Sequence, residues 1–269
     1  MKFEEFNLYK SLMFIKLIAF ISLPLLWDWR NVNGTNFLSP LRNQHQLLHH
    51  KRMCGDCWAM ASSSVMADRM NIIQGNYELK NYISVQNILD CSGGGDCDGG
   101  DEVGVYKYAM QYGIPHDTCD TYRGMKKQCN HNMDCYKCDY DGNCEPVKDY
   151  ERLYIKGYNR ITGIELIKNE IYKHGPITCS LEVTDDFESY TKGVYKEYKQ
   201  DPIANHVVSI VGWGIDNNIE FWIVRNSWGI FAQEDGFFRI VTSSYGNGYW
   251  NLGIEKDCSY PVIEGWRNN

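Results

Sequence analysis

Cys54-Gly55-Asp56-Cys57-Trp58 is the stretch of this chain that says most about its fold and its chemistry. The chain contains 11 cysteines, an odd number, so disulfide pairing of ten of them would leave one thiol free. A lone thiol in an otherwise oxidised chain is either an intermolecular partner or a reactive centre. We therefore take Cys57 as a candidate nucleophile.

The residues after Cys57 have the spacing of a helix. Their apolar side chains could share one stripe and predict a helix from Cys57 to Gln74, with Gly75 just beyond its end. Asp56 is of a residue type favoured at helix N-caps. Cys57 would then lie in the first turn, where the positive end of the helix lowers the pKa of a thiol.

Two downstream segments supply the partners that such a thiol needs. A free thiol has a pKa of about 8.5 and is only slightly ionised at neutral pH, so a cysteine nucleophile needs a base. His206, in the apolar run Asn205-His206-Val207-Val208-Ser209, is the candidate base. Asn226, in Asn226-Ser227-Trp228-Gly229, would orient the imidazole ring, and Trp228 would shield that hydrogen bond from water.

Gln44 completes the predicted catalytic set. Its side-chain amide and the backbone N–H of Cys57 can both donate to the oxyanion of a tetrahedral intermediate. By itself, His206 would be interpreted as a hydrogen-bonded core histidine. Its combination with Cys57 and Asn226 favours catalysis.

The paired cysteines also allow two other interpretations. Cys54-x-x-Cys57 could be a thioredoxin-like redox pair, but the βαβ context is missing and Trp58 follows the pair. Cys135-x-x-Cys138, with Cys129 and Cys144, could bind zinc. In a disulfide-rich chain bridges are the better interpretation, so we expect no metal and no cofactor.

The composition of the chain narrows the classes of function that it can have. The chain of 269 residues is 43% hydrophobic and 14% aromatic, which suffices for a buried core. The net charge of −7 and the lack of a Lys/Arg cluster argue against nucleic acid or an anionic membrane as a partner. The cysteine content indicates an exported protein, because many disulfides would not persist in a reducing cytosol.

Three segments differ in pattern. Residues 1–26 contain an apolar run that fits a secretory signal better than a membrane span, with an anchor or a wrongly assigned gene start as alternatives. Residues 27–150 have helical spacing followed by a cysteine-rich, loop-rich region. Residues 151–269 contain β-rich runs separated by Gly and Asn turns. We expect an α+β fold, with a helical half, a β-barrel-like half and a cleft between them.

The chain also contains a candidate glycosylation site, Asn33-Gly34-Thr35.

These motifs, together with Gly212-Trp213-Gly214 and Trp222-Ile223-Val224-Arg225, resemble the papain family from Trp27 to about Tyr260. The resemblance implies a papain-like fold with a helical left domain and a barrel-like right domain. It implies a lysosomal or secreted peptidase that acts on peptides or proteins, is recognised by cystatin-like inhibitors and is a monomer.

Several site assignments rest on the resemblance alone. It implies that Gly99, Gly100 and Trp228 bind substrate, and that His45 presents its ring to the terminal carboxylate of the substrate, as in an exopeptidase branch of the family that removes single C-terminal residues. It also implies five disulfide bonds: Cys54–Cys97, Cys91–Cys129, Cys119–Cys135, Cys138–Cys144 and Cys179–Cys258.

Four features depart from the family pattern. The loop 45–53 is longer and carries Met53 where a Tyr is expected, Asp56 replaces a Ser beside the nucleophile, and Ile230-Phe231-Ala232 replaces a second tryptophan. The 26 residues before Trp27 are too few for a signal and a propeptide, so we expect further sequence upstream. Two alternatives to a carboxypeptidase therefore stay open: an endopeptidase or dipeptidase with an open primed side, and a catalytically weak interaction protein.

Overall fold

The computed structural model describes residues 23–45, 53–75 and 81–268. The predicted signal or anchor segment therefore lies almost entirely outside the described residues, and so does most of the loop after His45. Within the described ranges, no helix is both long enough and apolar enough to cross a membrane.

The first helix of the described residues begins at Cys57, as the sequence predicts. Ser84 and Asp101 cap two of the later helices, because their side chains accept hydrogen bonds from backbone N–H groups in the first turn. The described α-helices are α1 (Cys57–Ile73), α2 (Val85–Cys91), α3 (Glu102–Gln111), α4 (Ile164–His174) and α5 (Asp185–Glu188). Single 3₁₀ turns occur at His131–Met133 and Gly246–Gly248.

The described strands are mostly short until the second half of the chain. They are β1 (Trp27–Asp28), β2 (Gly95–Asp96), β3 (Gly99–Gly100), β4 (Ile114–Pro115), β5 (Tyr136–Cys138), β6 (Cys144–Pro146), β7 (Glu151–Ile161), β8 (Ile177–Leu181), β9 (Val194–Tyr195), β10 (His206–Asp216), β11 (Ile219–Arg225), β12 (Phe237–Val241) and β13 (Cys258–Asn268).

Nine strands form one sheet in the order β4-β7-β13-β8-β10-β11-β12-β9, with β1 also paired to β10. All pairs are antiparallel except β12 with β9. Among the described residues the two end strands do not pair, so the sheet is open rather than a closed barrel. The expected α+β, papain-like fold is confirmed, and only the barrel closure differs.

Helix α1 is the central element of the fold. A single apolar stripe does not describe it, because every residue from Cys57 to Asn71 is buried. The hydroxyls of Ser62, Ser63 and Ser64 are accommodated because each donates to a backbone carbonyl three or four residues earlier. The predicted helix is present, but it is buried on every face rather than along one stripe, because tertiary packing surrounds it.

Buried charges connect α1 to the sheet. The Asp68 carboxylate pairs with the Arg225 guanidinium at the end of β11 and accepts hydrogen bonds from the backbone N–H and hydroxyl of Ser39, at 2.6 and 2.7 Å. The neighbouring Arg69 donates to the carbonyl oxygens of Pro176 and Pro261, at 2.7 and 3.0 Å. These contacts fix the helix against both β8 and β13.

Five disulfide bonds staple the described residues and leave Cys57 as their free thiol. They are Cys54–Cys97, Cys91–Cys129, Cys119–Cys135, Cys138–Cys144 and Cys179–Cys258. These are the pairs that the family resemblance implies. They leave no reduced cysteine pair at Cys54-x-x-Cys57 or at Cys135-x-x-Cys138, which removes the basis for the redox and zinc interpretations.

The Asp68–Arg225 pair gives a stability prediction. Asp68→Ala would leave the Arg225 guanidinium buried without its anion, so we expect the free energy of unfolding to fall by about 3–5 kcal/mol. The matched control is Glu145→Ala, which breaks an exposed pair with Lys137 and should cost less than about 1 kcal/mol. Denaturant unfolding with the disulfides intact measures both. Equal losses in the two variants would contradict a structural role for the buried pair.

Candidate active site

Cys57 is the first residue of α1, and its thiol faces the backbone N–H of Val207. Burial raises the pKa of the Cys57 thiol, and the Asp56 carboxylate raises it further, whereas the N–H groups of Val207, Trp58 and Cys57 lower it. The sulfur therefore lies beside the strand residue that follows His206. The helix N-terminus and the strand both present donors to a thiolate.

His206 and Asn226 meet across the β10–β11 pair. The His206 Nε2 atom lies 2.8 Å from Asn226 Oδ1, and both side chains are buried. Because Oδ1 only accepts, Nε2 carries the hydrogen, and Nδ1 is left as the basic ring nitrogen. Burial lowers the pKa of His206 to about 4, the bond to Asn226 opposes that shift, and the nearby His45 lowers it further.

Burial disfavours each charge of the catalytic pair when that charge stands alone. It raises the pKa of the Cys57 thiol and lowers the pKa of the His206 imidazole, so the neutral forms are favoured separately. A proton passed from the thiol to the imidazole creates both charges together. Their mutual attraction in a site of low polarity then stabilises the pair.

Trp228 covers the imidazoles of the site. Its ring centroid lies 5.2 Å from that of His206 and 5.5 Å from that of His45. The planes of Trp228 and His45 are nearly parallel. Partial burial lowers the pKa of His45, and the Glu188 carboxylate opposes this shift. His45 is therefore a second imidazole close to that of His206.

Gln44 is buried and held by the residue after Asn226. Its backbone N–H donates to the Ser227 carbonyl at 2.9 Å, and its Oε1 accepts from the Ser227 hydroxyl. Its Nε2 donates to the Cys54 carbonyl oxygen at 3.4 Å, a long hydrogen bond. These contacts fix the side-chain amide with its oxygen toward Ser227 and its nitrogen toward Cys54.

Asp56 differs from the prediction that it caps α1. It occupies the N-cap position, but its side chain makes no capping hydrogen bond. The carboxyl is fully buried, and neither oxygen accepts a hydrogen bond of normal geometry, although the Tyr122 hydroxyl faces it. Burial raises the pKa of Asp56 to about 7, while Tyr122 and Arg42 oppose the shift. The acid is thus neutral below neutral pH.

Gly99 and Gly100 form the exposed strand β3 next to the nucleophile. A Cβ atom at Gly100 would lie 2.5 Å from the Trp58 indole, so only glycine lets this backbone pack there. Trp58 Nε1 also donates to the Asp96 carbonyl of β2 at 3.2 Å. The result is an exposed backbone edge, held against the residue that follows Cys57.

Other residues extend the picture drawn from the sequence. Ser227, Tyr122 and Gln233 contact the site residues, and no sequence pattern singled them out. Their partners Gln44, Asp56 and Asn226 are mostly remote in sequence, so spacing carries no signal. Asn33 is exposed in a turn, as a glycosylation acceptor must be.

The combination of fold and site matches known proteases. The family model described as papain family cysteine protease matches residues 23–262, and the chain belongs to that family. It is a papain-like cysteine peptidase. Among curated relatives it is similar to cathepsin Z of Onchocerca volvulus, with 44% identity over 243 residues, covering 89% of this chain and 78% of that protein.

Solved structures agree with the fold. The bromelain protease from Ananas comosus in complex with the E64 inhibitor has a TM-score of 0.70 and 27% identity, covering 90% of this chain and 100% of that chain. The digestive procathepsin L2 proteinase from Tenebrio molitor larval midgut has a TM-score of 0.72 and 26% identity, covering 91% of this chain and 70% of that chain.

The buried acid gives a pH prediction. Asp56 ionises as the pH rises through about 7, and its charge then disfavours the adjacent thiolate. Asp56→Asn should therefore speed alkylation of Cys57 by iodoacetamide at pH values above 7, where the wild-type carboxylate is charged and raises the pKa of the thiol. Well below pH 7 the rates should match, because the wild-type acid is then protonated.

The control for this experiment is Asp141→Asn, which removes an exposed carboxylate of the same charge. It should leave the alkylation profile unchanged at every pH. An Asp56→Asn profile that coincides with the wild-type profile above pH 7 would show that the buried acid does not influence the thiol.

Proposed function

We propose that this chain is a cysteine carboxypeptidase that releases single residues from the C-termini of peptides and proteins in a lysosomal or secreted compartment. The proposed catalytic residues are Cys57, His206, Asn226 and Gln44. The observation that carries the proposal is the position of His45, whose ring lies against Trp228 and close enough to His206 to lower its pKa.

The proposed reaction proceeds through an acyl-enzyme. The Cys57 thiolate attacks the scissile carbonyl carbon, and the oxyanion accepts from the Gln44 amide and the Cys57 backbone N–H. His206 passes its proton to the leaving amine nitrogen as the C–N bond breaks. Water then attacks the thioester carbonyl, His206 accepts its proton, and the C–S bond breaks to release the acid and regenerate the thiolate.

His45 would select the end of the substrate chain. In its imidazolium form it can pair with a terminal carboxylate next to the scissile bond, and a mid-chain peptide offers no such charge. Partial burial keeps the pKa of His45 below its ordinary value. The imidazolium therefore forms as the pH falls, and the preference for free C-termini should be strongest in acid. This supports a function in an acidic compartment.

The remaining substrate would bind along β3. Gly99 and Gly100 offer exposed backbone beside Trp58, to which an extended peptide can add by main-chain hydrogen bonds. The five disulfides support an oxidising location for the enzyme. Recognition by cystatin-like inhibitors and a monomeric state belong to the same proposal.

One observation favours the endopeptidase alternative. A groove of about 630 Å³ extends beside Trp228 and is lined by Asn43, Tyr122, Ile230 and Phe231, among others. Phe231 is fully exposed, in the segment that replaces the family's second tryptophan. A groove of this size could accept residues beyond the scissile bond, so the products of cleavage decide between the two activities.

The test compares one peptide as the free acid and as the C-terminal amide, with products identified by mass spectrometry. The enzyme should release single residues from the acid at acidic pH, and Cys57→Ala should abolish the release. His45→Asn should lower kcat/KM for the acid by about 10- to 100-fold through loss of the charge-assisted bond and leave the amide unaffected.

The other outcomes assign the alternatives. Internal cuts in both peptides would establish an endopeptidase with an open primed side. Absence of any Cys57-dependent product would favour the third interpretation, a catalytically weak interaction protein. A His45→Asn enzyme that keeps its preference for the free acid would remove His45 from the carboxylate site.

A further inference from the structure

The hydrogen-bond chain that orients the catalytic imidazole extends one residue beyond Asn226. Asn226 Oδ1 accepts from His206 and from the Ser227 backbone N–H at 2.8 Å each. Asn226 Nδ2 donates to Gln233 Oε1 at 2.9 Å. Every polar atom of this buried amide therefore has a partner, and Gln233 is the partner of the amino group.

The orientation of the Asn226 amide decides whether it can serve His206. Only the oxygen can accept from Nε2–H, and an amide turned by 180° would point two further hydrogens at that donor and at the Ser227 N–H. The turned amide would also bring Asn226 Oδ1 against Gln233 Oε1, two acceptors without a hydrogen between them. Gln233 thus opposes the rotation from the side of Asn226 away from His206.

The backbone of Gln233 is held in an unfavourable conformation. Its φ is +53°, in the left-handed region that residues other than glycine rarely adopt. Its own Nε2 is buried without a hydrogen-bond partner among the described residues. The backbone is strained and the amide nitrogen is unsatisfied, so neither explains why the side chain is placed here. The contact that explains its position is the hydrogen bond that Gln233 Oε1 accepts from Asn226.

The loop around Gln233 does not depend on that bond. The Asn226 backbone N–H donates to the Gly236 carbonyl at 3.0 Å, and the Gly236 N–H donates to the Ala232 carbonyl at 2.8 Å. Glu234 accepts from Arg239 at 2.7 Å and from the Gly193 backbone N–H at 2.8 Å. The loop conformation is therefore held by other groups, and the Gln233 side chain can be changed without releasing it.

We propose that Gln233 is a positioning residue that holds the Asn226 amide with its oxygen toward His206, at the loop where Ile230-Phe231-Ala232 stands in place of the family's second tryptophan. It acts through Asn226 and does not touch the substrate. The inference rests on the catalytic roles proposed for Cys57, His206 and Asn226, but not on the choice between exopeptidase and endopeptidase.

Two substitutions separate positioning from folding. Gln233→Gly suits the positive φ and removes the acceptor, so the thermal midpoint should hold or rise. kcat should fall by about 10- to 100-fold because Asn226 Nδ2 loses its partner, with KM unchanged. Asp235→Gly is the matched control, because Asp235 is exposed, has a φ of +54° in the same loop and leaves Asn226 untouched. It should relieve the backbone equally and leave kcat at the wild-type value.

Gln233→Glu tests the pH profile, which would not change if Gln233 had only a structural role. It keeps the acceptor and adds a negative charge, so kcat should stay within about threefold of wild type. The alkaline limb of the kcat/KM profile should shift upward, because the added anion favours the imidazolium. The other charged or titratable groups near this path are His45 near His206, Cys57 next to Val207, and Glu234, which pairs with Arg239 and also faces Arg30.

The outcomes distinguish this inference from the proposed function. The positioning role is supported if kcat falls in Gln233→Gly but not in Asp235→Gly, and if the alkaline limb of the kcat/KM profile shifts upward in Gln233→Glu. Equal kcat in Gln233→Gly and Asp235→Gly overturns it while the Cys57-dependent activity stands. If Gln233→Gly does not fold, an unshifted alkaline limb in Gln233→Glu overturns it instead. Activity that survives Cys57→Ala would show that the catalytic assignment itself has failed.

Discussion

The buried pair between Asp68 and Arg225 is the constraint on which the geometry of this molecule depends. Asp68 lies on the helix that begins at Cys57, and Arg225 is the last residue of the strand before Asn226. The pair therefore fixes the helix that carries the thiol relative to the strand that carries the orienting amide. A buried charge pair has few alternative arrangements, because either partner alone would be strongly destabilised in the interior.

Around this frame the site is built from amides and hydroxyls that fix one another. Ser227 orients Gln44, Asn226 orients His206, and Gln233 contacts Asn226. Each amide in this chain has its oxygen facing a donor or its nitrogen facing an acceptor. Turning any one amide by 180° would therefore break its hydrogen bond. Such a chain holds the groups of the proposed site in place before substrate arrives, which is what electrostatic stabilisation of an oxyanion and an ion pair would require.

The charges of the site are suited to acidic conditions. Burial raises the pKa of Asp56 to about 7, so the acid beside the thiol carries no charge in a mildly acidic compartment. Burial also lowers the pKa of His45, whose imidazolium forms as the pH falls. Both groups therefore change in the direction that the proposed reaction needs as the pH falls.

The sequence by itself determined the fold class, the start of the helix at Cys57, the free thiol and the candidates His206, Asn226 and Gln44. Residue types and local periodicity carry that information, because a helix start or a strand needs only neighbours within a few positions. Tertiary structure alone decided the burial of α1 on all faces, the open sheet, the uncapped carboxyl of Asp56 and the bonds of Ser227 and Gln233. These depend on which surfaces meet after folding, and contacts between residues remote in sequence leave no local pattern from which they could be read.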